Sequence, residues 1–320
     1  MAIPIFTVKK PGLLTTIQDG GRYGFQSYGI PPSGAMDTLS YRIANVLVGN
    51  PLQAAVLEIT LAGPHLYVEN DVIIAICGAD LSPQINGSPA PMWTSLLLRR
   101  GDELTFGKPI SGARAYVSIA GEFALPYVFG SQATELKTKT GGYFGRPLQK
   151  GDTLFAHGLH IHPRFTGRTL KRNDIPNFSK EIAARIIIGP HSDFFTKESL
   201  NTLLSETYTL SQQSDRMGLR LIGPKLAFQK REELRSEATM FGCLQVPPSG
   251  QPILLMADRQ TTGGYPIIGT VISVDLPKIA QAVPGSAIRF QKTTVEEAQT
   301  ELKKREKWLQ LLEKLHGGFR

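Results

Sequence analysis

Ile253-Leu254-Leu255-Met256-Ala257-Asp258-Arg259-Gln260-Thr261-Thr262-Gly263-Gly264-Tyr265 decides how this chain is read. It opens as an apolar run too short for a helix, and Asp258 ends that run with an abrupt change to polar residues. A run of this length between Pro252 and a Gly-Gly pair is a buried strand. The pattern has an earlier counterpart, in which Val72-Ile73-Ile74-Ala75-Ile76-Cys77 leads to Ala79-Asp80. Working outward, Arg22-x-Gly24-x4-Gly29 matches Arg216-x-Gly218-x4-Gly223. Glu58-x4-Gly63 matches Glu237-x4-Gly242, and Gly101-x4-Phe106 matches Gly285-x4-Phe290. Glu58 precedes Asp80 by 22 residues, and Glu237 precedes Asp258 by 21. Arg22 precedes Glu58 by 36 residues and Arg216 precedes Glu237 by 21, an excess of 15 that suits one inserted helix with its flanks. Four matches in one order predict an internal duplication into two related β-rich units, the first carrying extra segments.

Further strands are expected over 115–120, 185–188 and 270–274, each rich in β-branched residues and bounded by turn formers. Helices are few. One is expected over 36–48, with Leu39, Ile43 and Leu47 on one face and Gly49-Asn50-Pro51 to stop it. A short one is expected over 196–204. The last begins at a capping box of Thr294 and Glu297, carries a stripe of Val295, Ala298, Leu302, Leu309 and Leu312, and ends at Gly317. The polar stretch 162–180 reads as an exposed connection. The expected organisation is therefore mainly β: a first unit over 1–180, a second over 181–292, and a packing helix over 293–320.

Composition narrows the function classes. Of 320 residues, 41% are apolar, enough for real cores, while 32 Gly and 22 Pro favour turns and short strands. No apolar run reaches the roughly 18 residues that a membrane helix needs, and residues 1–10 do not read as a secretory signal. Cys77 and Cys243 lie in apolar surroundings and read as buried thiols, which predicts a reducing, cytoplasmic home. The net charge of +8 is scattered over clusters at Lys171-Arg172, Lys230-Arg231 and Lys303-Lys304-Arg305. No aromatic residues interleave with them, so nucleic acid is not an expected partner.

Three motifs carry chemistry. The first is Thr15-Thr16-Ile17-Gln18-Asp19-Gly20-Gly21-Arg22-Tyr23-Gly24, running on to Gly29-Ile30-Pro31-Pro32-Ser33-Gly34-Ala35-Met36-Asp37. Its glycines let backbone approach a ligand, while Gln18, Asp19 and Arg22 offer an acceptor, a charge and a forked donor. Pairing of Asp19 with Arg22 inside a turn is an equal reading. The second is Ser214-Asp215-Arg216-Met217-Gly218-Leu219-Arg220-Leu221, the repeat partner of the first, in which Arg220 alternates with leucines on a strand face. The third is the quoted stretch, preceded by Leu244-Gln245-Val246-Pro247-Pro248-Ser249-Gly250-Gln251-Pro252. Polar residues emerging from a core strand meet each other or a ligand.

Together with Gly141-Gly142-Tyr143-x-Gly145-Arg146-x-Leu148-x-x-Gly151-Asp152, these motifs resemble the carboxyltransferase-domain family, which includes the C-type 5-oxoprolinase subunit (KipA), allophanate hydrolase subunit 2 and the urea amidolyase module. The resemblance runs from about Pro11 to Phe290. It implies tandem cyclophilin-like β-barrels. It also implies a companion chain of the KipI type, equivalent to allophanate hydrolase subunit 1 or the B-type 5-oxoprolinase subunit, and joined in 5-oxoprolinase by an A-type one. The activity implied is the ATP-driven opening of 5-oxoproline to glutamate, with magnesium-bound ATP consumed by the complex. The alternatives are carboxylation of urea or a similar amide by biotin carried on another chain, and a regulatory role in binding a KipI-type partner.

Absent signals sharpen this. Gly101-Asp102-Glu103-Leu104-Thr105-Phe106-Gly107-Lys108 has five residues between its glycines and Pro109 after the lysine, so it is a turn between strands and not a phosphate loop. Neither a biotin-attachment sequence nor a Gly-x-Ser-x-Gly elbow occurs, which predicts a chain inactive alone. His157, His160 and His162 have no cysteine nearby and read as solvent-facing side chains, so no metal is expected. The expected catalytic residues are Asp258, Arg259, Asp215 and Arg216. Gln18, Asp19, Arg22, Gln245, Gln251, Gln260, Thr261, Thr262 and Tyr265 are the expected binding residues. Arginines would hold an anionic carboxylate or phosphate, and an aspartate would act as base or hold a metal-bound nucleotide.

Overall fold

The computed structural model describes residues 1–230 and 234–316. Gly317 and Arg231 therefore lie outside the described residues. The chain is mainly β and divides into two compact units. One comprises Met1–Arg22, Ser33–Phe178 and Lys307–Arg320, and the other Tyr23–Pro32 and Ser179–Glu306.

In the first unit the strands form two sheets. Glu122–Phe123, Thr153–His157, Ile3–Lys10, His65–Val68, Glu103–Phe106, Pro83–Ile85 and Ser88–Pro89 make one, in that order. Leu14–Gln18, Val56–Thr60, Ser111–Ile119, Val72–Asp80 and Ser95–Leu98 make the other. A single core joins residues of both sheets, including Ile5, Phe6, Leu66, Leu57, Ile74 and Val117. A second core lies against Ile73, Ala75 and Cys77, covered by Tyr41, Ile43 and Leu47 of the helix Ser40–Val48 and by Leu309 and Leu312 of the last helix. Strand Val72–Asp80 is thus buried on both faces, which is why its sequence is a continuous apolar run without alternation. The stretch Gly101–Lys108 contains strand Glu103–Phe106, entered by a left-handed Gly101.

The expected helix over 36–48 begins later, at Ser40. Asp37 intervenes: its Oδ1 accepts the Leu39 and Ser40 amides at 3.0 and 2.9 Å, so residues 36–39 form a cap. Gly49 closes the helix in the left-handed conformation, as the sequence required. The stretch 162–180 is less exposed than its composition suggests, because Phe165 and Leu170 bury themselves in the second core.

The second unit is a closed seven-stranded barrel in the order Glu181–Ile188, Ile267–Val271, Cys243–Gln245, Ile253–Leu255, Gly218–Ile222, Thr207–Leu210 and Ala287–Lys292. Glu181–Ile188 closes the ring by pairing in parallel with Ala287–Lys292. Alternation places Ile182, Ala184, Ile186, Tyr208, Leu219, Leu221, Leu244, Leu254, Ile288 and Phe290 on the buried inner face. The strand expected over 270–274 is shifted to Ile267–Val271. Beyond Val271 the chain turns so that Asp275 accepts Nε and Nη2 of Arg185, both at 2.9 Å. The short helix is Lys197–Ser205, capped by Thr196 Oγ1, which accepts the Ser199 amide at 3.1 Å. The last helix, Val295–His316, starts at the expected capping box, with Glu297 N donating to Thr294 Oγ1 and Thr294 N to Glu297 Oε2, each at 3.2 Å. Its apolar stripe is only partly buried: Leu309 and Leu312 are in the core, but Val295 is exposed.

The repeat-related glutamates occupy different surroundings. Glu58 is buried and accepts the Met36 amide and the Tyr116 hydroxyl, whereas Glu237 is exposed and faces His191 at 3.4 Å.

Candidate functional site

The polar residues of the third motif are held by a buried ion pair. Strand Ile253–Leu255 delivers Asp258 into the interior, where its amide donates to the Arg216 carbonyl at 2.9 Å. Arg216 answers with a fork: Nε reaches Asp258 Oδ2 at 2.8 Å and Nη2 reaches Oδ1 at 2.9 Å. Both side chains are 5% exposed. A two-pronged pair in a dry interior is strong and geometrically exacting. It ties the second motif to the third, 42 residues apart in sequence. Both carboxylate oxygens of Asp258 are thus engaged by Arg216, which ties the loop to the strand before it.

Arg259 is the opposite case. It is 5% exposed, yet no carboxylate faces it among the described residues, and its Nε has no hydrogen-bond partner there. Its guanidinium makes one long contact, Nη1 to the Met256 carbonyl at 3.5 Å. Burial pushes its pKa down, opposed in part by the neighbouring Tyr23 hydroxyl and Cys243 thiol. A buried guanidinium without a counter-charge is costly unless an anion arrives to meet it.

Beside this loop, a groove of about 440 Å³ crosses the outer wall of the barrel. Its floor is Met217, Ile253 and Leu255, and its polar rim includes Asp215, Arg220, Gln245, Gln260 and Tyr265. Gln245 is buried and donates to the Tyr265 carbonyl at 3.3 Å. A β-carbon at Gly263 would lie 2.7 Å from Gln245 Nε2 and 3.1 Å from Gln260 Nε2. The two amide ends therefore converge beside Gly263, and a β-carbon there would have to push them aside.

The other expected residues are placed as follows. Asp215 is exposed, and its Oδ1 caps the Met217 and Gly218 amides at 2.8 and 3.0 Å. Thr261 and Thr262 enter the ribbon of Glu237–Ala238 with Thr262–Gly263, held where Thr239 N donates to the Thr261 carbonyl at 3.0 Å. Gln251 lies apart from the groove, its amide bracketing Gly223 N and O at 3.1 and 2.9 Å.

In the first unit, Gln18, Asp19 and Arg22 are all buried and meet residues 131–134. Asp19 accepts Ser131 Oγ at 2.7 Å, the Gln132 amide at 2.6 Å and the Gly21 amide at 2.7 Å. Gln18 Nε2 donates to Thr134 O at 3.1 Å, and Arg22 Nη2 to Ala133 O. That segment was invisible to motif reading, since nothing in Ser131-Gln132-Ala133-Thr134 marks it. Met217, Arg220, Ile253 and Leu255 were also missed as groove residues, although strand alternation already turned Arg220 outward. No group of three or more His, Cys, Asp or Glu gathers among the described residues. His162 Nδ1 instead accepts the Arg164 amide at 3.2 Å.

A mainly β chain with a closed barrel and a polar loop on its wall defines the class. Residues 28–292 match the family model "Carboxyltransferase domain, subdomain A and B", and the chain belongs to that family. Among curated relatives, the C-type 5-oxoprolinase subunit of Escherichia coli (strain K12) is 38% identical over 291 residues, covering 90% of this chain and 91% of that one. Urea amidolyase of Lachancea kluyveri is 33% identical over 305 residues, but this chain spans only 17% of it. In solved structures, the K. lactis urea amidolyase superposes with a TM-score of 0.90 at 30% identity, covering 96% of this chain and 20% of that one. No helix among the described residues is long and apolar enough to cross a membrane.

Proposed function

We propose that this chain is the C-type component of an ATP-dependent 5-oxoprolinase complex, which opens 5-oxoproline to L-glutamate. The observation that carries the reading is reciprocal coverage. The two relatives named as C-type 5-oxoprolinase subunits, at 38% and 36% identity, match this chain over nine-tenths or more of both lengths. Its companions would be of the A and B types, in the cytoplasm, with magnesium-bound ATP consumed by the assembly; no residue of this chain is assigned to the nucleotide.

The groove suits such a substrate. 5-Oxoproline is a small ring bearing one lactam and one carboxylate. Met217, Ile253 and Leu255 would pack on the ring. The converging amides of Gln245 and Gln260 can donate to the lactam oxygen and accept from its N–H. Arg259, next to Gln260 in sequence though not itself part of the groove's lining, would supply the charge that a carboxylate requires. Asp215 and Arg220 stand at the rim, available to a proton or a second anionic group.

The test is ATP hydrolysis by this chain purified with its A-type and B-type companions. Addition of 5-oxoproline should stimulate it, and omission of this chain should abolish the stimulation; an intact complex indifferent to 5-oxoproline sinks the reading. Gly263→Ala should raise KM by roughly tenfold, the worth of one or two displaced hydrogen bonds, with the melting temperature unchanged. An unaltered KM would remove the amide pair from the site.

A second reading draws on the 0.90 TM-score to urea amidolyase: transfer of a carboxyl group from biotin on another chain to a urea-like amide. It predicts dependence on a biotin carrier, which the same reconstitution measures.

A further inference from the structure

Neither Glu237 nor His191 lines the groove, yet both hold one of its walls. That wall is the arch 262–267. Gly263 lies beside the converging Gln245 and Gln260 amides, and Tyr265 stands at the rim, 45% exposed. One foot of the arch is the two-stranded ribbon, where Gly263 pairs with Glu237 and Thr262 with Ala238. The other foot is Ile267, where a barrel strand begins. The register there is irregular: Leu244 and Gln245 pair with Gly269 and Ile267, so one residue is extra. Bulges of this kind re-aim groups beside functional sites. Here the Ile267 amide is re-aimed. It donates not to a strand carbonyl but to Nδ1 of His191, at 3.1 Å.

His191 sits on the turn after strand Glu181–Ile188, and that turn is pressed onto the same foot. Gly189 N donates to the Ile268 carbonyl at 2.8 Å, and a β-carbon at Gly189 would come within 2.3 Å of Ile267 O. The His191 amide donates to that same oxygen at 3.3 Å. The imidazole is 12% exposed and meets the Phe194 ring edge-on at 5.7 Å, which limits its rotation. With Nδ1 accepting, the neutral ring carries its proton on Nε2. That nitrogen faces Glu237 Oε2 at 3.4 Å. The two ring nitrogens thus reach opposite feet of one arch, Nδ1 at Ile267 and Nε2 at the residue paired with Gly263.

We propose that His191 is a positioning residue for the groove, setting the spacing of Gly263 and Tyr265 against the Gln245 and Gln260 amides. The inference rests on the reading of that groove as the substrate site. His191 acts through the backbone it holds, so its loss loosens substrate binding and leaves the chemical step in place. Its two contacts differ in weight. Without the ring, the amide of buried Ile267 loses its acceptor, whereas Glu237 is 55% exposed and its pairing is weakened by water.

The test compares His191→Ala with His191→Asn, whose side-chain oxygen falls near the place of Nδ1 and keeps an acceptor for Ile267. In the complex reconstituted with its A-type and B-type companions, His191→Ala should raise KM for 5-oxoproline roughly tenfold with kcat held within about twofold, and His191→Asn should recover most of that loss. Hydrogen exchange over 262–267 in the isolated chain should be faster in His191→Ala and restored in His191→Asn. Should His191→Ala fail to fold, His191→Gln takes its place, since its longer side chain keeps reach to Glu237 and gives up the Ile267 acceptor. Unchanged exchange in the variants would show that His191 does not hold the arch. Faster exchange with KM unmoved, or with kcat reduced instead, would overturn the inference, because the arch would then be held without serving the substrate. If the wild-type complex ignores 5-oxoproline, the reading of the groove falls, and exchange alone decides whether His191 pins the arch.

Discussion

Arg259→Met should leave the isolated chain as stable as wild type or more so, and should depress kcat/KM of the reconstituted complex for 5-oxoproline on the order of 100-fold or more. The two halves come from one observation. Arg259 is 5% exposed, its Nε is without a partner and no carboxylate faces it among the described residues. Keeping a charge there costs free energy in the free chain, and burial already pulls its pKa down. Methionine fills similar space without that cost. Loss of a buried charged hydrogen-bonding partner to an anion is worth about 2–5 kcal/mol, hence the size of the activity loss. Thermal melts and steady-state kinetics decide it. A destabilised variant would mean that the guanidinium has a structural role, and unaltered kinetics would mean that no anion meets it.

Arg216→Ala and Asp258→Ala should behave in the opposite way, each destabilising the chain by about 3–5 kcal/mol in urea titration. Each would remove the forked partner of a charge that is 5% exposed, where water is a poor substitute. Replacing both at once by apolar residues of similar volume should recover most of that loss, because no buried charge remains. Single variants as stable as wild type would show that the pair is not the anchor of the loop. Activity lost in either single variant therefore has to be read against stability before it is assigned to chemistry.

Much of the fold was legible because its signals are local. The capping box at Thr294, the stop at Gly49 and the apolar strand runs act over a few residues, and they appear where expected. The misplaced boundaries have identifiable causes at longer range: Asp37 takes residues 36–39 out of the first helix, and the Asp275–Arg185 pair pulls the chain out of its strand after Val271. Burial on both faces of Val72–Asp80 could be guessed from its unbroken apolar run, but not that the last helix supplies part of the cover.

The candidate site divides in the same way. The sequence alone determined that the polar residues cluster after a core strand, that Gly263 lies among them, and that the dipeptide Asp-Arg occurs at 215–216 and again at 258–259. These are facts of order and spacing along one chain. It could not distinguish the two dipeptides, which are chemically identical. Tertiary structure decided that: antiparallel pairing within the barrel brings strand Gly218–Ile222 beside Ile253–Leu255, so Arg216 takes Asp258. Asp215 turns back on its own backbone, and Arg259 is buried with no carboxylate facing it among the described residues. Which charge is cancelled and which is buried without a carboxylate among the described residues depends on distance in space, and a pairing across 42 residues leaves no local trace.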